Sequence, residues 1–310
     1  MCCLFGLIDY NNTLSVRQKE RILKVLSKEC EARGTDATGI AYKSGNEMII
    51  YKKPLPAHKM RFKLKGNPSV IMGHTRMTTQ GSEKNNINNH PFYSEKLGFA
   101  LAHNGVLYND ATLRKTEKIP VPKIETDSYI AVQLIEKKKA LNFETIKYMA
   151  EKVEGSFCFT ILNKNNELYI VKGDNPMCIA HFKGYYIYAS TEAILTKALK
   201  KLGLKNYKEI KITDGEILKF NTNGKITKGE FDIFKSYGFY NYPYYSYSRS
   251  KTKVTYEAQY LEDLIYYGKT VGIDEETILE LLNSGYDYMD IEELLYETDF
   301  YREDDLYAEI

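Results

Sequence analysis

Cys2 stands directly behind the initiator Met1 and opens an apolar run, Cys3-Leu4-Phe5-Gly6-Leu7-Ile8. With Met1 removed, one residue carries both a thiol and an α-amine. Their unperturbed pKa values lie near about 8.5 and about 7.7–8.0, so modest changes in environment poise either near neutrality. That is a nucleophile with its own base attached. The plain alternative is a chance Met-Cys start with an inert thiol, since a lone Cys is a weak signal. Three more positions carry chemistry. Asn104-Gly105 follows the apolar stretch Phe99–Ala102. Its amide donates to a developing oxyanion, and Gly lets a backbone N–H approach as the second donor. Arg76 follows the apolar stretch Ser69–Gly73 and suits a carboxylate held bidentately. Asp127, in Glu125-Thr126-Asp127, suits an ammonium. Singly these are also a turn, a surface Arg and a helix N-cap; as a pair, Arg76 and Asp127 match both charges of a zwitterion. His74, His90 and His103 are spaced like no metal motif, so no metal site is expected.

These residues need elements to hold them. Residues 4–10 read as a buried strand, and Arg17–Arg33 as an amphipathic helix ending in the turn Gly34–Gly39. Residues 40–42 and 48–51 read as a hairpin. Strands at 69–73 and 99–102 deliver Arg76 and Asn104, and Thr126 or Asp127 caps a helix running to Ile135. A further helix covers 142–153. Short strands follow at 157–162, 168–172, 177–182, 185–189 and 216–220, with one helix at 192–202 among them. Strands, helices and strands again imply a layered α+β domain.

In order along the chain, six motifs resemble one family. They are Cys2 with Phe5-Gly6; Arg33-Gly34-x-Asp36-x-x-Gly39-Ile40-Ala41; Gly73-His74-Thr75-Arg76-x-x-Thr79-x-Gly81; Asn89-His90-Pro91; His103-Asn104-Gly105; and Glu125-Thr126-Asp127. They are similar to class II glutamine amidotransferase domains, the N-terminal-nucleophile glutaminases of glucosamine-6-phosphate synthase, amidophosphoribosyltransferase and asparagine synthetase, with the first type nearest. The resemblance implies a four-layer αββα fold and hydrolysis of L-glutamine to L-glutamate and ammonia, with no cofactor. It implies that Cys2 attacks the side-chain amide, with its α-amine as base and then acid. Asn104 and the Gly105 N–H would form the oxyanion hole, Arg76 would take the α-carboxylate with help from Thr79, Asp127 the α-ammonium, and Arg33 would position the N-terminal strand. Three departures stand out. Cys3 replaces the usual Gly and is expected to add a side chain beside the active centre; Met77 and Gln80 stand where an aromatic residue and a His are common.

The 310 residues are 43% hydrophobic and 27% charged, an ordinary globular balance, and no apolar run approaches the length needed to cross a bilayer. Five cysteines, odd in number, suit a reducing cytosol and a cytoplasmic protein. Net charge is +2 overall, but residues 257–310 hold 17 acidic residues against Lys269 and Arg302. A basic body with an acidic tail follows, which leaves room for an anionic or nucleotide acceptor. The expected organisation is a glutaminase domain over 2–234, a Tyr-rich linker over 235–255 and an acidic helical region over 256–310. The last resembles a ubiquitin-associated-type or similar three-helix bundle and fits any small helical cap equally. That remainder is too short for a sugar isomerase or phosphoribosyltransferase, so a separate synthase is the expected partner and ammonia acceptor. Two other readings stay open: hydrolysis of another amide, and a catalytically retired glutamine-binding or scaffold protein.

Overall fold

The computed structural model describes residues 2–233, and in the C-terminal part residues 261, 264–266, 268–269, 271–286, 288, 290–292 and 294–295. The chain divides into two units, Met1–Phe234 and Lys235–Ile310. The Tyr-rich stretch expected as a linker lies outside the described residues. In the second unit, helix α6 (Glu275–Asn283) is capped by Asp274, whose carboxylate accepts from Thr277 N. It ends in a turn at Ser284-Gly285, Gly285 having φ +95°. Among the described residues no helix is long and apolar enough to cross a membrane.

The first unit is built on two antiparallel sheets. One has seven strands, in the order β11 (Lys208–Glu209), β9 (Cys178–Phe182), β10 (Tyr185–Ala189), β1 (Cys3–Ile8), β4 (Val70–Arg76), β2 (Ala37–Ser44) and β3 (Glu47–Lys53). The other has six, in the order β13 (Ile226–Glu230), β12 (Glu216–Phe220), β8 (Leu168–Lys172), β7 (Gly155–Asn163), β6 (Phe99–Leu107) and β5 (Phe92–Ser94). Side chains alternate faces along each strand. One face of each sheet therefore builds a shared apolar layer, in which Leu4, Ile8, Val70 and Met72 meet Ala100, Ala102, Cys158 and Ile170.

The outer faces take the helices. Phe5 and Leu7 of β1 pack with Leu23 and Leu26 of α1 (Val16–Glu29) and with Leu195 and Leu199 of α5 (Glu192–Leu202). Leu101, Phe159 and Val171 of the second sheet pack with Leu113 of α2 (Asp110–Thr116), Ile130 and Leu134 of α3 (Tyr129–Lys137), and Ile146 and Met149 of α4 (Phe143–Lys152). The result is the four-layer αββα arrangement, α+β in class. Helix starts follow local chemistry: Ser15 and Gln18 form a capping box on α1, and Thr191 caps α5.

Three local expectations are corrected. Cys3 does not crowd the active centre: strand alternation turns it to the opposite face from Cys2, into the layer against α1, with its Sγ 2.9 Å from that of Cys30. Arg76 and Asn104-Gly105 do not follow strands but lie within them, at the end of β4 and in the second half of β6. Neither Thr126 nor Asp127 caps α3; Ser128 stands at the N-cap without a side-chain capping bond, and Asp127 is drawn elsewhere.

Candidate active site

β1 is held between β10 and β4, and its register with β4 pairs Cys3 with Thr75, which brings Cys2 level with Arg76. The turn after α1 closes over this corner. Arg33, 2% exposed, donates from Nε to Cys2 O at 3.0 Å. Gly34 sits so close to the end of β4 that a Cβ there would come 2.5 Å from the Arg76 carbonyl carbon. Asp36 N donates to Arg76 O at 3.0 Å, and the Asp36 carboxylate accepts from Thr78 N at 2.7 Å. The Cys2 thiol donates to Met77 O at 3.5 Å. Burial pushes the Cys2 thiol pKa up, a rise opposed by the charge of nearby Arg76. A thiol so placed needs a base to become the thiolate.

Arg76 is 3% exposed. Its Nη1 donates to Asn89 Oδ1 at 2.8 Å, and its Nη2 to Gln80 O at 2.6 Å and Gly81 O at 3.0 Å. Nη2 thus holds the 77–81 loop and Nη1 the side chain of Asn89, which leaves part of the five-donor guanidinium unspent. Lys52, its pKa lowered to about 8 by burial and by Arg76, holds the next loop by donating to Asn89 O and Pro91 O. Asp127 accepts from Leu107 N at 2.6 Å through Oδ2 and from Ser128 Oγ at 3.1 Å through Oδ1. Burial raises its pKa. A carboxylate only accepts, so the Ser128 hydroxyl donates to it, and His103 Nδ1–H donates in turn to Ser128 Oγ at 2.8 Å.

β6 supplies Asn104 and Gly105. Phe157, opposite Gly105, spends its N–H on Asp174 Oδ1 and its C=O on Gly173 N. The Gly105–Phe157 pair is therefore a non-hydrogen-bonded one, and the Gly105 N–H points away from β7. β5 pairs with β6 only as far as Leu101. Gly105 has φ +135°, a backbone shape for glycine. Asn104 is fully buried, yet neither Oδ1 nor Nδ2 of its side chain has a partner among the described residues. Thr126 Oγ1 and both ring nitrogens of His90 are in the same state.

Cys2, Arg76, Thr79, Gly105 and Asp127 line one open cleft, together with Met77, Gln80, His90, His103, Thr126 and Ser128. Of the residues singled out in the sequence, Asn104 lies buried behind this wall and Arg33 holds the backbone of Cys2. The three histidines do converge. His74 and His90 rings lie 4.3 Å apart, and His74 Nε2 is bonded to His103 O. Burial drops His74 and His103 to about 3 and His90 well below its ordinary value, so all three are neutral near pH 7. Among the described residues no cluster of three His, Cys, Asp or Glu side chains is arranged to hold a metal ion. Sequence reasoning missed Ser128 and Asn175. Nothing in the sequence marks them, because both act through contacts made only on folding.

Residues 74–197 match the family described as a glutamine amidotransferase domain. The glutamine–fructose-6-phosphate aminotransferase of Bacillus thuringiensis subsp. konkukian is 31% identical over 198 residues, 61% of this chain and 32% of that protein. The Staphylococcus aureus protein of the same description is 30% identical over 68% of this chain and 34% of its own length. The chain thus spans about a third of these curated relatives. In fold it is similar to the Bacillus subtilis glutamine phosphoribosylpyrophosphate amidotransferase, with a TM-score of 0.59 at 22% identity, over 74% of this chain and 49% of that one. With the two-sheet architecture and the matched segment, which runs from the end of β4 into α5, the chain carries a class II glutamine amidotransferase domain.

Proposed function

We propose that the protein hydrolyses L-glutamine to L-glutamate and ammonia through a thioester on Cys2. The observation that carries this reading is the convergence on one cleft of a thiol, a cation, a carboxylate and a glycine N–H, backed by an Asn amide buried without partners. Removal of Met1 exposes the Cys2 α-amine, which takes the thiol proton. Sulfur then attacks the side-chain carbonyl carbon of glutamine. Asn104 Nδ2 and the Gly105 N–H receive the oxyanion, a role worth about 10²–10³ in rate per donor. The α-ammonium of Cys2 returns its proton to the departing nitrogen, which leaves as ammonia as the carbonyl re-forms. Water adds to the thioester with the amine again as base, glutamate departs, and the thiol is restored.

Arg76 takes the α-carboxylate with guanidinium N–H capacity not spent on Asn89, Gln80 and Gly81, and Asp127 takes the α-ammonium. Thr79, exposed on the loop that Arg76 anchors, joins from the cleft wall. We place the ammonia acceptor outside residues 2–234. The matched relatives are named for transfer to fructose 6-phosphate, and the alignment reaches only about a third of their length.

The test pairs intact mass with glutamate release. Loss of Met1 together with glutamine-dependent glutamate release that vanishes in Cys2→Ala supports the reading. Met1 removed, glutamine bound and no glutamate formed, with or without cell extract, overturns it in favour of a glutamine-binding protein without turnover.

A further inference from the structure

The peptide between Asn104 and Gly105 has two ends that face opposite ways. A peptide unit is planar and trans, so its C=O points toward β7 while its N–H points to the open side of β6. The carbonyl end is held from an unexpected place. Asn175, in the turn after β8 and 71 residues distant in sequence, donates from Nδ2 to Asn104 O at 2.9 Å. It is 2% exposed. Its turn is pinned onto β7 by Gly173 N on Phe157 O at 3.0 Å and by Phe157 N on Asp174 Oδ1 at 2.8 Å. The Asn175 amide also backs directly onto Gly105: a Cβ there would lie 2.5 Å from the same Nδ2.

We propose that Asn175 is a positioning residue for the oxyanion site, setting the direction and strength of the Gly105 N–H by holding the carbonyl at the other end of the same peptide. The inference rests on the glutaminase reading. Glycine has no Cβ to restrict its φ, so the direction of its N–H is not set by its own sterics. On the far carbonyl, Asn175 adds a second constraint beside the Asn104–Cys158 ladder pair. It also polarises the peptide, since bonded dipoles in series strengthen one another in a low-dielectric interior. The chain runs from Asn175 N–H to Asn104 C=O and from Gly105 N–H to the oxyanion. Because the oxyanion exists only in the transition state, the effect falls on kcat rather than on ground-state binding.

Asn175→Asp keeps the shape and removes the donor; Asn175→Ala removes both; Asn175→Ser offers a shorter donor. With glutamine as substrate and the folded fraction fixed by circular dichroism, Asn175→Asp and Asn175→Ala should lose between about fivefold and about fiftyfold in kcat. KM should stay within about twofold, and Asn175→Ser should recover part of the loss. That is below the 10²–10³ for deleting an oxyanion donor outright. If Asn175→Asp does not fold, Asn175→Ala decides. Wild-type kcat in the donor-less variants, or a rise in KM with kcat unchanged, overturns the inference while leaving the glutaminase reading intact. Absence of glutamate release by the wild-type protein removes the glutaminase reading itself.

Discussion

The two ends of β1 bury polar groups in opposite ways. Just past its C-terminal end, Asp9 and Lys19 are both fully buried and 2.9 Å apart. Asp9 also accepts from Thr13 N and Leu14 N, and Lys19 donates to Pro68 O. Both side chains are bonded within the chain. Around the N-terminal end, Asn104, His90 and Thr126 are equally buried, yet their side-chain polar atoms lack partners among the described residues. Burying a polar atom without a partner costs about 1–3 kcal/mol, so such groups persist where something outside the chain completes them. One end is closed scaffold, and the other leaves buried polar atoms without partners where the proposed glutamine site lies.

Substitution should separate the two ends. Lys19→Met leaves Asp9 buried without its counter-ion and should cost about 3–5 kcal/mol of stability, while kcat per folded molecule stays at the wild-type value. Urea melts and rates normalised to folded protein read both, and a loss of kcat without a loss of stability would erase the contrast. Asn104→Ala should do the reverse. It should lower kcat by about 10²–10³, equivalent to about 2.7–4 kcal/mol of transition-state stabilisation, without lowering the unfolding midpoint, because it removes two unsatisfied buried atoms. A fall in midpoint comparable to that of Lys19→Met would show Asn104 to be scaffold too.

The candidate site was legible in the sequence because the chemistry proposed for it demands particular residue types at particular points. Cys2, Arg76, Asn104-Gly105 and Asp127 announce themselves by type and by motif order, and Thr79 by its motif. The layered α+β class followed from the order of apolar runs, and β8, β10, β12 and α5 match their apolar patterns residue for residue. What was not legible depends on neighbours. β4 continues through His74-Thr75-Arg76, and β6 through His103-Asn104-Gly105, because adjacent ladders extend strands that composition alone would end. β13 (Ile-Thr-Lys-Gly-Glu) and the three-residue β5 are edge strands with little apolar signal. Asp127 reads as a cap, but Leu107 N captures its carboxylate across the fold. Asn175 reads as one turn residue among many until its amide is seen against Asn104.

Asp127 sharpens the contrast with the smallest effect. Its pKa is raised by burial despite the bonds from Leu107 N and Ser128, so the folded state holds a proton more tightly than the unfolded chain does. The resulting penalty on folding is absent below the unfolded carboxyl value of about 3.9. It grows as pH rises toward the folded value and is constant above it. An amide in place of the carboxylate carries no charge and keeps the network, its oxygen accepting from Leu107 N and its nitrogen donating to Ser128 Oγ. Asp127→Asn should therefore melt slightly above wild type at pH 7, with the gain fading as pH falls toward about 3.9; a gain independent of pH would refute the electrostatic account. In a Cys2→Ala background, which prevents turnover, glutamine should raise the melting temperature of the protein that keeps Asp127, by ligand linkage. The same addition should leave the melting temperature of the Asp127→Asn protein unmoved. On the proposed reading, the charge of Asp127 is buried without a counter-ion until the substrate ammonium arrives, whereas at the other end of β1 Lys19 already supplies one to Asp9.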